Sequence, residues 1–246
     1  MERANLAWRK SMTKDHKYKS DIPANAIEKE LSPYRKWRGI TTYRRTECLH
    51  KGKIVGYRHY GKDGSLFVEQ PIKNGKIHGK VYYFENDGSV ESIEPFYDGK
   101  PHGIAKQFDD DGSLLGTYTL NHGNGYDIWR DRDCETGKTY ISEIWSYKDG
   151  LPHGFEWWVN WDQKTVGEER HWQHGKLHGI ERSWHPQNRN RLLRGYPKYY
   201  VSGKHVTKRQ YISCSKRDTT LPKFTEKDQK PRRDFPPKIK KIMIQR

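Results

Sequence analysis

Short runs rich in aromatic residues alternate with polar turn sequences along most of this chain. Two such runs are KVYYF at residues 80–84 and FEWWV at residues 155–159. The turns at residues 62–65, 86–89 and 110–113 contain Asp-Gly, which favours hairpins because glycine adopts a positive φ without steric conflict. A second apolar run follows each turn. The pattern therefore predicts strands of about five or six residues that are joined pairwise into hairpins.

The hairpins repeat at a nearly constant spacing, and a glycine marks the start of each unit. The successive spacings between these glycines are 23, 24, 24, 27, 25 and 28 residues. The seven anchors are Gly52, Gly75, Gly99, Gly123, Gly150, Gly175 and Gly203. Two strands and two turns fill such a period, so successive hairpins should pair edge to edge. The predicted fold class is all-β, an elongated single-layer sheet of stacked β-hairpin repeats with short helical or irregular terminal extensions.

Three segments follow from this pattern. Residues 1–47 form a basic N-terminal extension, residues 48–205 form the hairpin repeats, and residues 206–246 form a basic C-terminal cap or tail. The later repeats lose the Asp-Gly pair, so we expect longer turns and a less regular geometry from about residue 130 onward.

Each terminal extension carries a signal for one short helix. In the N-terminal extension Ser20 or Asp21 is a candidate cap, and Pro23 suits the first turn of a helix that would end near residue 32. In the C-terminal extension Thr207 is the candidate cap.

A His-Gly pair closes a five-residue signature in four units, namely GKIHG, GKPHG, GLPHG and GKLHG. The structural signature comprises Gly52, Gly75, His78, Gly79, Gly99, His102, Gly103, Gly150, His153, Gly154, Gly175, His178 and Gly179. Equivalent residues of successive hairpins lie about 9–10 Å apart, whereas two ligands of one zinc ion must lie within about 4 Å of each other. We therefore predict no metal site. Each histidine is expected in a turn, where its ring packs on a neighbouring aromatic ring or bonds to a turn carbonyl.

These signatures resemble a known repeat family. The order NGK-x-HG, then an aromatic run, then DGS is carried by Gly75, His78, Gly79, Asp87 and Gly88 and by their counterparts in the next unit. It is similar to MORN repeats, and in particular to the MORN-variant proteins grouped with the bacterial YwqK-type antitoxins. The resemblance covers about residues 48–205 and departs from the family pattern at the fourth anchor and in the last two units. It implies a hairpin-repeat fold and a role in binding and blocking a partner protein.

The composition is polar but strongly aromatic. Hydrophobic residues make up 32% of the chain, and 9 Trp, 16 Tyr and 7 Phe supply much of its apolar surface. Flat rings suit a thin sheet that they cover on one face. Because side chains alternate along a strand, the adjacent Trp157 and Trp158 must point to opposite faces. The candidate partner surface comprises Trp129, Trp157, Trp158, Trp161, Trp172 and Trp184, with burial in the core as the alternative for each.

The positive charge is concentrated at the two ends. The net charge is +16, of which residues 1–47 contribute +6 and residues 203–246 contribute +10, whereas the intervening residues are neutral. The ends either cap the sheet or bind an anionic partner such as nucleic acid, an acidic protein surface or lipid headgroups. Three widely spaced cysteines, no secretory signal and no apolar run long enough for a transmembrane segment favour a cytoplasmic protein.

The sequence contains no pattern typical of a catalytic or cofactor site, so we predict a protein that is not an enzyme and that uses no cofactor. The function expected is a non-catalytic protein-interaction scaffold, antitoxin-like or immunity-like, that binds and blocks a partner protein. The alternative is a nucleic-acid or anionic-membrane binder that acts through the basic termini.

Overall fold

The structure, a computed structural model, describes residues 18–31, 35–37, 40–42, 44–185, 188, 191–225 and 234–244. The fold is all-β, as the repeat pattern predicts: antiparallel hairpins follow one another in an open sheet, and two short helices lie near the C-terminus. The chain divides into two compact units, Met1–His122 and Gly123–Arg246. No helix of the described residues is long and apolar enough to span a bilayer.

In the first unit, each long strand pairs with the next long strand along the chain. The strands are β1 (Ile27–Leu31), β2 (Arg35–Trp37), β3 (Ile40–Thr42), β4 (Arg44–His50), β5 (Lys53–Tyr60), β6 (Leu66–Lys73), β7 (Lys76–Ile77), β8 (Gly79–Phe84), β9 (Val90–Tyr97), β10 (Lys100–Pro101), β11 (Gly103–Phe108) and β12 (Leu114–Asn121). Strands β2 and β3 form a ladder of their own, and β1 pairs with β4.

The second unit continues with the same antiparallel meander. It contains β13 (Asn124–Arg132), β14 (Thr139–Lys148), β15 (Leu151–Val159), β16 (Val166–Gln173), β17 (Lys176–Leu177), β18 (Gly179–Ser183), β19 (Lys198–Val201), β20 (Lys204–Val206), α1 (Lys208–Ser215) and α2 (Pro237–Ile244). Strands β13 to β16 are eight to ten residues long and pair over most of their length. Strands β13 to β16 therefore stay regular beyond residue 130. The expected longer turns and shorter strands appear after β18, since residues 184–197 connect it to β19, and β19 and β20 have four and three residues.

Aspartate side chains also close the turns of these later hairpins, which lack Asp-Gly. In the turn after β13, the carboxylate of Asp133 accepts hydrogen bonds from the backbone N–H groups of Glu135 and Thr136. In the turn after β15, Asp162 accepts in the same way from Lys164 and Thr165. Asp63 and Asp87 accept the same kind of bond in Asp-Gly turns of the first unit, so an aspartate acceptor is common to both kinds of turn.

The anchor glycines lie in tight turns between consecutive units. Asn74 has φ +52° and Gly75 has φ +75°, and Asp98 and Gly99 repeat this pair with +50° and +86°. Two successive positive φ values are typical of the type I′ turn, whose twist matches that of the flanking strands. The same pair of conformations recurs at all seven anchors. The repeat period is thus set by a recurring backbone geometry.

The N-terminal helix that we predicted is absent, because this segment forms strand β1. Residues 27–31 pair in register with β4, and Glu28 extends from the strand into a polar cluster. The Glu28 carboxylate accepts hydrogen bonds from Tyr60 Oη at 2.6 Å, Arg58 Nη1 at 2.5 Å and Thr46 Oγ1 at 3.1 Å. These long-range contacts outweigh the modest local preference for a helix. The C-terminal prediction is confirmed, since Thr207 caps α1 in a capping box.

A terminal segment covers one face of the sheet in each unit. In the first unit, the ring of Tyr18 packs edge-on against Tyr82 at 5.1 Å and against Phe84 at 5.3 Å. The Asp21 carboxylate accepts a hydrogen bond from Lys80 N at 2.7 Å, and Gly79 leaves the space for it, since a Cβ there would lie 2.6 Å from Asp21 Oδ2. Residues 18–21 thus pack onto this face of the sheet.

In the second unit, the C-terminal residues do the same. Tyr211 of α1 and Leu221 pack with Ile180 and Tyr199 of the sheet. Farther along the chain, Phe235 and Ile239 are also buried, and Phe235 contacts Trp157 edge-on at 6.0 Å between ring centroids. Side chains from the C-terminal extension therefore form a second layer on this face.

Candidate functional site

Three of the four signature histidines link consecutive turns, whereas Nδ1 of the fourth, His153, has no hydrogen-bond partner among the described residues. His78 Nδ1 accepts a hydrogen bond from Asp98 N at 3.4 Å, and His102 Nδ1 accepts one from His122 N at 3.1 Å. In the second unit, His178 Nδ1 accepts from Ser202 N at 3.0 Å. The bonded group is the amide of the residue before the next anchor glycine, so the expected bond to a turn carbonyl is wrong.

Ring packing accompanies these bonds, as expected. His102 stacks on His122 at 4.0 Å between ring centroids, and His153 packs edge-on against His174 at 4.9 Å. Among the described residues no three His, Cys, Asp or Glu side chains are grouped to hold a metal ion. His78, His102 and His178 thus connect turns.

The adjacent tryptophans of β15 lie on opposite faces, as alternation along the strand predicts. Trp157 is 5% exposed and lies under the C-terminal layer, where its Nε1 donates a hydrogen bond to Glu169 at 3.1 Å. Trp158 is 44% exposed on the other face. The adjacent acids of β16 divide in the same way, because Glu168 lies opposite Trp158 and Glu169 opposite Trp157.

The other candidate tryptophans differ in exposure. Trp184 is buried, so it and Trp157 present no surface to a partner. Trp161 is 74% exposed in the turn after β15, where its ring packs on Tyr140 at 5.2 Å. Trp129 and Trp172 are half-buried. The surface expected from the sequence therefore reduces to Trp129, Trp158, Trp161 and Trp172.

Register brings three of these tryptophans together with acidic side chains on the face opposite the C-terminal layer. We call this surface the Trp–Glu face. It comprises Asp127, Trp129, Glu143, Trp145, Glu156, Trp158, Glu168, Arg170, Trp172, Glu181, Lys198 and Tyr200. Within it, indole rings and carboxylates alternate across neighbouring strands. Trp129, Glu143, Trp158 and Glu168 are successive cross-strand neighbours of one row.

Arg170 is the electrostatic centre of the Trp–Glu face. Its Nη1 lies 2.8 Å from Glu156 Oε1 and its Nε lies 3.1 Å from Glu181 Oε1, and Nη2 also contacts Glu168. Lys198 Nζ and Tyr200 Oη approach Glu181 at 3.5 Å and 3.1 Å. One guanidinium thus holds carboxylates from three strands.

Glu156 fixes the orientation of two indole rings. Its carboxylate is buried, and it accepts hydrogen bonds from Trp158 Nε1 at 2.9 Å and from Trp172 Nε1 at 2.6 Å. The ring of Trp172 lies 5.6 Å from that of Trp145. Because each indole is held by its N–H group, the aromatic surface is ordered before any ligand arrives.

The protonation of Glu143 is strongly perturbed. Burial and the nearby charge of Glu156 raise the pKa of Glu143 to about 7, against a hydrogen bond with Trp145 and the charge of Arg170, which lower it; a hydrogen bond with Glu156 adds a smaller upward effect. The buried Oε1 atom of Glu143 has no hydrogen-bond partner among the described residues. This carboxyl group therefore changes charge near neutral pH.

The arrangement is suited to binding. Exposed aromatic surface offers a large area of contact, and the surrounding carboxylates favour cationic groups. Sequence reasoning missed Trp145 and the four glutamates of the face. The signal was their alternation with aromatic residues in SEIW and FEWW, which becomes meaningful only once the strand register is known.

No family model matches this chain, and no curated protein matches it. Among solved structures, a Glycosylation Associate Protein complex from Streptococcus agalactiae is 15% identical with a TM-score of 0.32, over 51% of this chain and 25% of that chain. A mutant of S. aureus TarM in complex with Fondaparinux, alpha-GlcNAc-glycerol and UDP is 12% identical with a TM-score of 0.22, over 71% of this chain and 27% of that chain. The chain is thus similar over about a quarter of the length of each of these structures.

Proposed function

We propose that this protein is a non-catalytic interaction scaffold that binds a partner protein through the Trp–Glu face. The observation that carries the proposal is Trp158, which is 44% exposed yet held in place by its hydrogen bond to buried Glu156. A large exposed indole on a rigid support is typical of the residues that dominate protein interfaces. A sheet presents such a side chain at little conformational cost on binding.

We further propose that the repeats are of the MORN-variant, YwqK-type kind, and that binding blocks the activity of the partner, as in an antitoxin or immunity protein. The regular hairpins, the type I′ turns at the anchors and the turn-linking histidines support the first part of this proposal. The second part follows from the resemblance stated above. A cytoplasmic location would be consistent with it.

The test uses the full chain as bait, followed by purification of the captured protein and measurement of its affinity by calorimetry. Trp158→Ala should weaken binding at least tenfold, because hot-spot tryptophans contribute about 2 kcal/mol or more. Trp161→Ala is the matched control, since it removes an exposed indole outside the Trp–Glu face. Unchanged affinity in Trp158→Ala, with a native melting temperature, would contradict the proposed surface.

The alternative function gives a different outcome in the same experiment. The segments 1–47 and 203–246 carry net charges of +6 and +10, so binding of nucleic acid or anionic vesicles should depend on them. Affinity for a nucleic acid would then fall steeply with salt and be insensitive to Trp158→Ala. Such a result would favour the basic termini as the functional part.

A further inference from the structure

The Trp–Glu face has a charge opposite to that of the protein as a whole. The chain carries a net charge of +16, whereas this face holds five acids and two bases. The acids are Asp127, Glu143, Glu156, Glu168 and Glu181, and the bases are Arg170 and Lys198. A local excess of acids on a basic protein favours a cationic ligand at this surface and disfavours an anionic one.

The side chain of Arg170 shows how this surface accommodates a guanidinium group. Its guanidinium lies among Glu156, Glu168 and Glu181, which it contacts through three different nitrogen atoms. Guanidinium is planar, weakly hydrated and able to donate several hydrogen bonds in one plane, so it pairs with carboxylates without complete hydration. Elsewhere on the face, carboxylates alternate with indole rings across neighbouring strands.

Glu143 is the carboxylate that Arg170 leaves without an ion pair. None of the described residues forms an ion pair with Glu143, and its Oε1 is a buried acceptor with no partner among them. Cross-strand pairing sets Glu143 between Trp129 and Trp158, and the latter ring is the most exposed of the face. A cation there would meet a carboxylate and an aromatic surface together.

The neighbouring strands supply the charges that Glu143 experiences. Asp127 lies on the same face of β13, Glu156 on β15, and Glu168 and Arg170 on β16. Three carboxyl groups and one guanidinium therefore surround Glu143. A second guanidinium would relieve the repulsion that Glu143 experiences from Glu156.

Building on the proposed function, we propose that the Trp–Glu face binds an extended arginine-containing segment of the partner protein, with a guanidinium group paired to Glu143 and stacked on Trp158. Two strand residues span about 7 Å, so an extended segment with arginine at alternate positions would present successive guanidinium groups to the rows of the face. The contacts would be of the kind that Arg170 already makes.

The direct test is a calorimetric titration of the full chain with a synthetic amidated Arg-Gly-Arg-Gly-Arg peptide. The control peptide carries citrulline in place of arginine, which keeps the shape and removes the charge. We expect saturable binding of the arginine peptide and at least tenfold weaker binding of the citrulline peptide. Equal affinities for the two peptides, or no binding of the arginine peptide, would overturn the proposal.

Variants locate the binding on the protein. Glu143→Gln should weaken binding of the arginine peptide at least tenfold. Glu168→Gln applies the same test to a second, half-exposed carboxyl group of the face. Glu135→Gln is the matched control, since it removes one carboxylate from an exposed turn of the same unit. Thermal melts verify folding. Equal losses in all three variants would indicate nonspecific attraction and would overturn the assignment.

The dependence on pH gives a signature of Glu143 itself. With its pKa at about 7, this carboxyl group is mainly protonated at pH 6 and ionised at pH 8, so pairing with guanidinium requires release of the proton. The affinity for the arginine peptide should be about tenfold lower at pH 6 than at pH 8. This difference should disappear in Glu143→Gln, and its persistence there would refute the role of Glu143.

The purified partner from the bait experiment separates this proposal from the proposed function. If its affinity falls in Trp158→Ala but is unchanged in Glu143→Gln and Glu168→Gln, the face is an interface and the arginine assignment is wrong. If neither kind of variant changes its affinity, the proposed surface itself is wrong.

Discussion

The raised pKa of Glu143 predicts that the folded protein loses stability as the pH rises, and that Glu143→Gln removes this loss. The pKa of Glu143 rises from 4.5 to about 7 in the folded protein, mainly because burial disfavours the charged form. Between these two values the folded protein holds a proton that the unfolded chain has released. Stability from this group is therefore fully present below pH 4.5 and is lost as the pH rises through 7.

The magnitude follows from the size of this difference. A shift of one pKa unit corresponds to about 1.36 kcal/mol of folding free energy. The shift from 4.5 to about 7 would therefore change the stability by about 3 kcal/mol if the carboxyl group were completely buried. Because the carboxyl group is only partly shielded from solvent, we reduce this to about 1–2 kcal/mol. Glutamine has nearly the same shape and cannot ionise. Glu143→Gln should therefore gain about 1–2 kcal/mol of stability relative to the wild type on going from pH 4.5 to pH 8.

Urea unfolding followed by tryptophan fluorescence at these two pH values measures the effect. Glu135→Gln, in an exposed turn, should leave the pH dependence of unfolding unchanged. If the free energy of unfolding changes by the same amount between the two pH values in Glu143→Gln and in the wild type, the burial and repulsion inferred for Glu143 are wrong.

Three further predictions concern the framework of the sheet. Gly103 has φ +119° and a Cβ there would lie 3.0 Å from a proline ring, so Gly103→Val should cost about 1–3 kcal/mol in thermal melts. His102→Ala loses one hydrogen bond and a stacked ring and should cost less; the reversed order would contradict the backbone constraint inferred at Gly103. The guanidinium of Arg58 lies 2.7 Å from the buried carboxylate of Glu69. Arg58→Met leaves this carboxylate without its ion pair and should cost about 3–5 kcal/mol in the free energy of unfolding, measured with urea. A loss below about 1 kcal/mol would show that the pair is not needed. Thr207→Ala should cost about 1 kcal/mol by removing a helix cap, and Thr207→Ser, which keeps the hydroxyl, should restore most of it.

The repeats could be predicted because their signals are local. A positive φ at two successive residues depends on the residues themselves, so the anchor glycines mark type I′ turns wherever the hairpins lie. The cap at Thr207 is also local, and it was predicted. Strand β1 was missed because its partner β4 and the acceptor role of Glu28 lie far away in the sequence.

The candidate site could be predicted only in part. Opposite orientations of Trp157 and Trp158 follow from strand geometry, but which of the two faces is covered depends on where the C-terminal extension packs. Irregular pairing adds to the difficulty. The ladder shifts between Trp158 and Val159, and a shift of one residue moves every later side chain to the other face.

The sequence by itself determined the hairpins, their period and the turn positions, because these depend on short-range backbone preferences and on the alternation of side chains. Only the tertiary structure decided that Trp145 and four glutamates share a face with Trp158, and that Glu143 is brought close to Glu156. Cross-strand register and the packing of terminal segments are properties of residues far apart in the chain. The chemistry of the site arises from those long-range contacts, because a carboxyl group acquires its pKa from neighbours that its own segment does not contain.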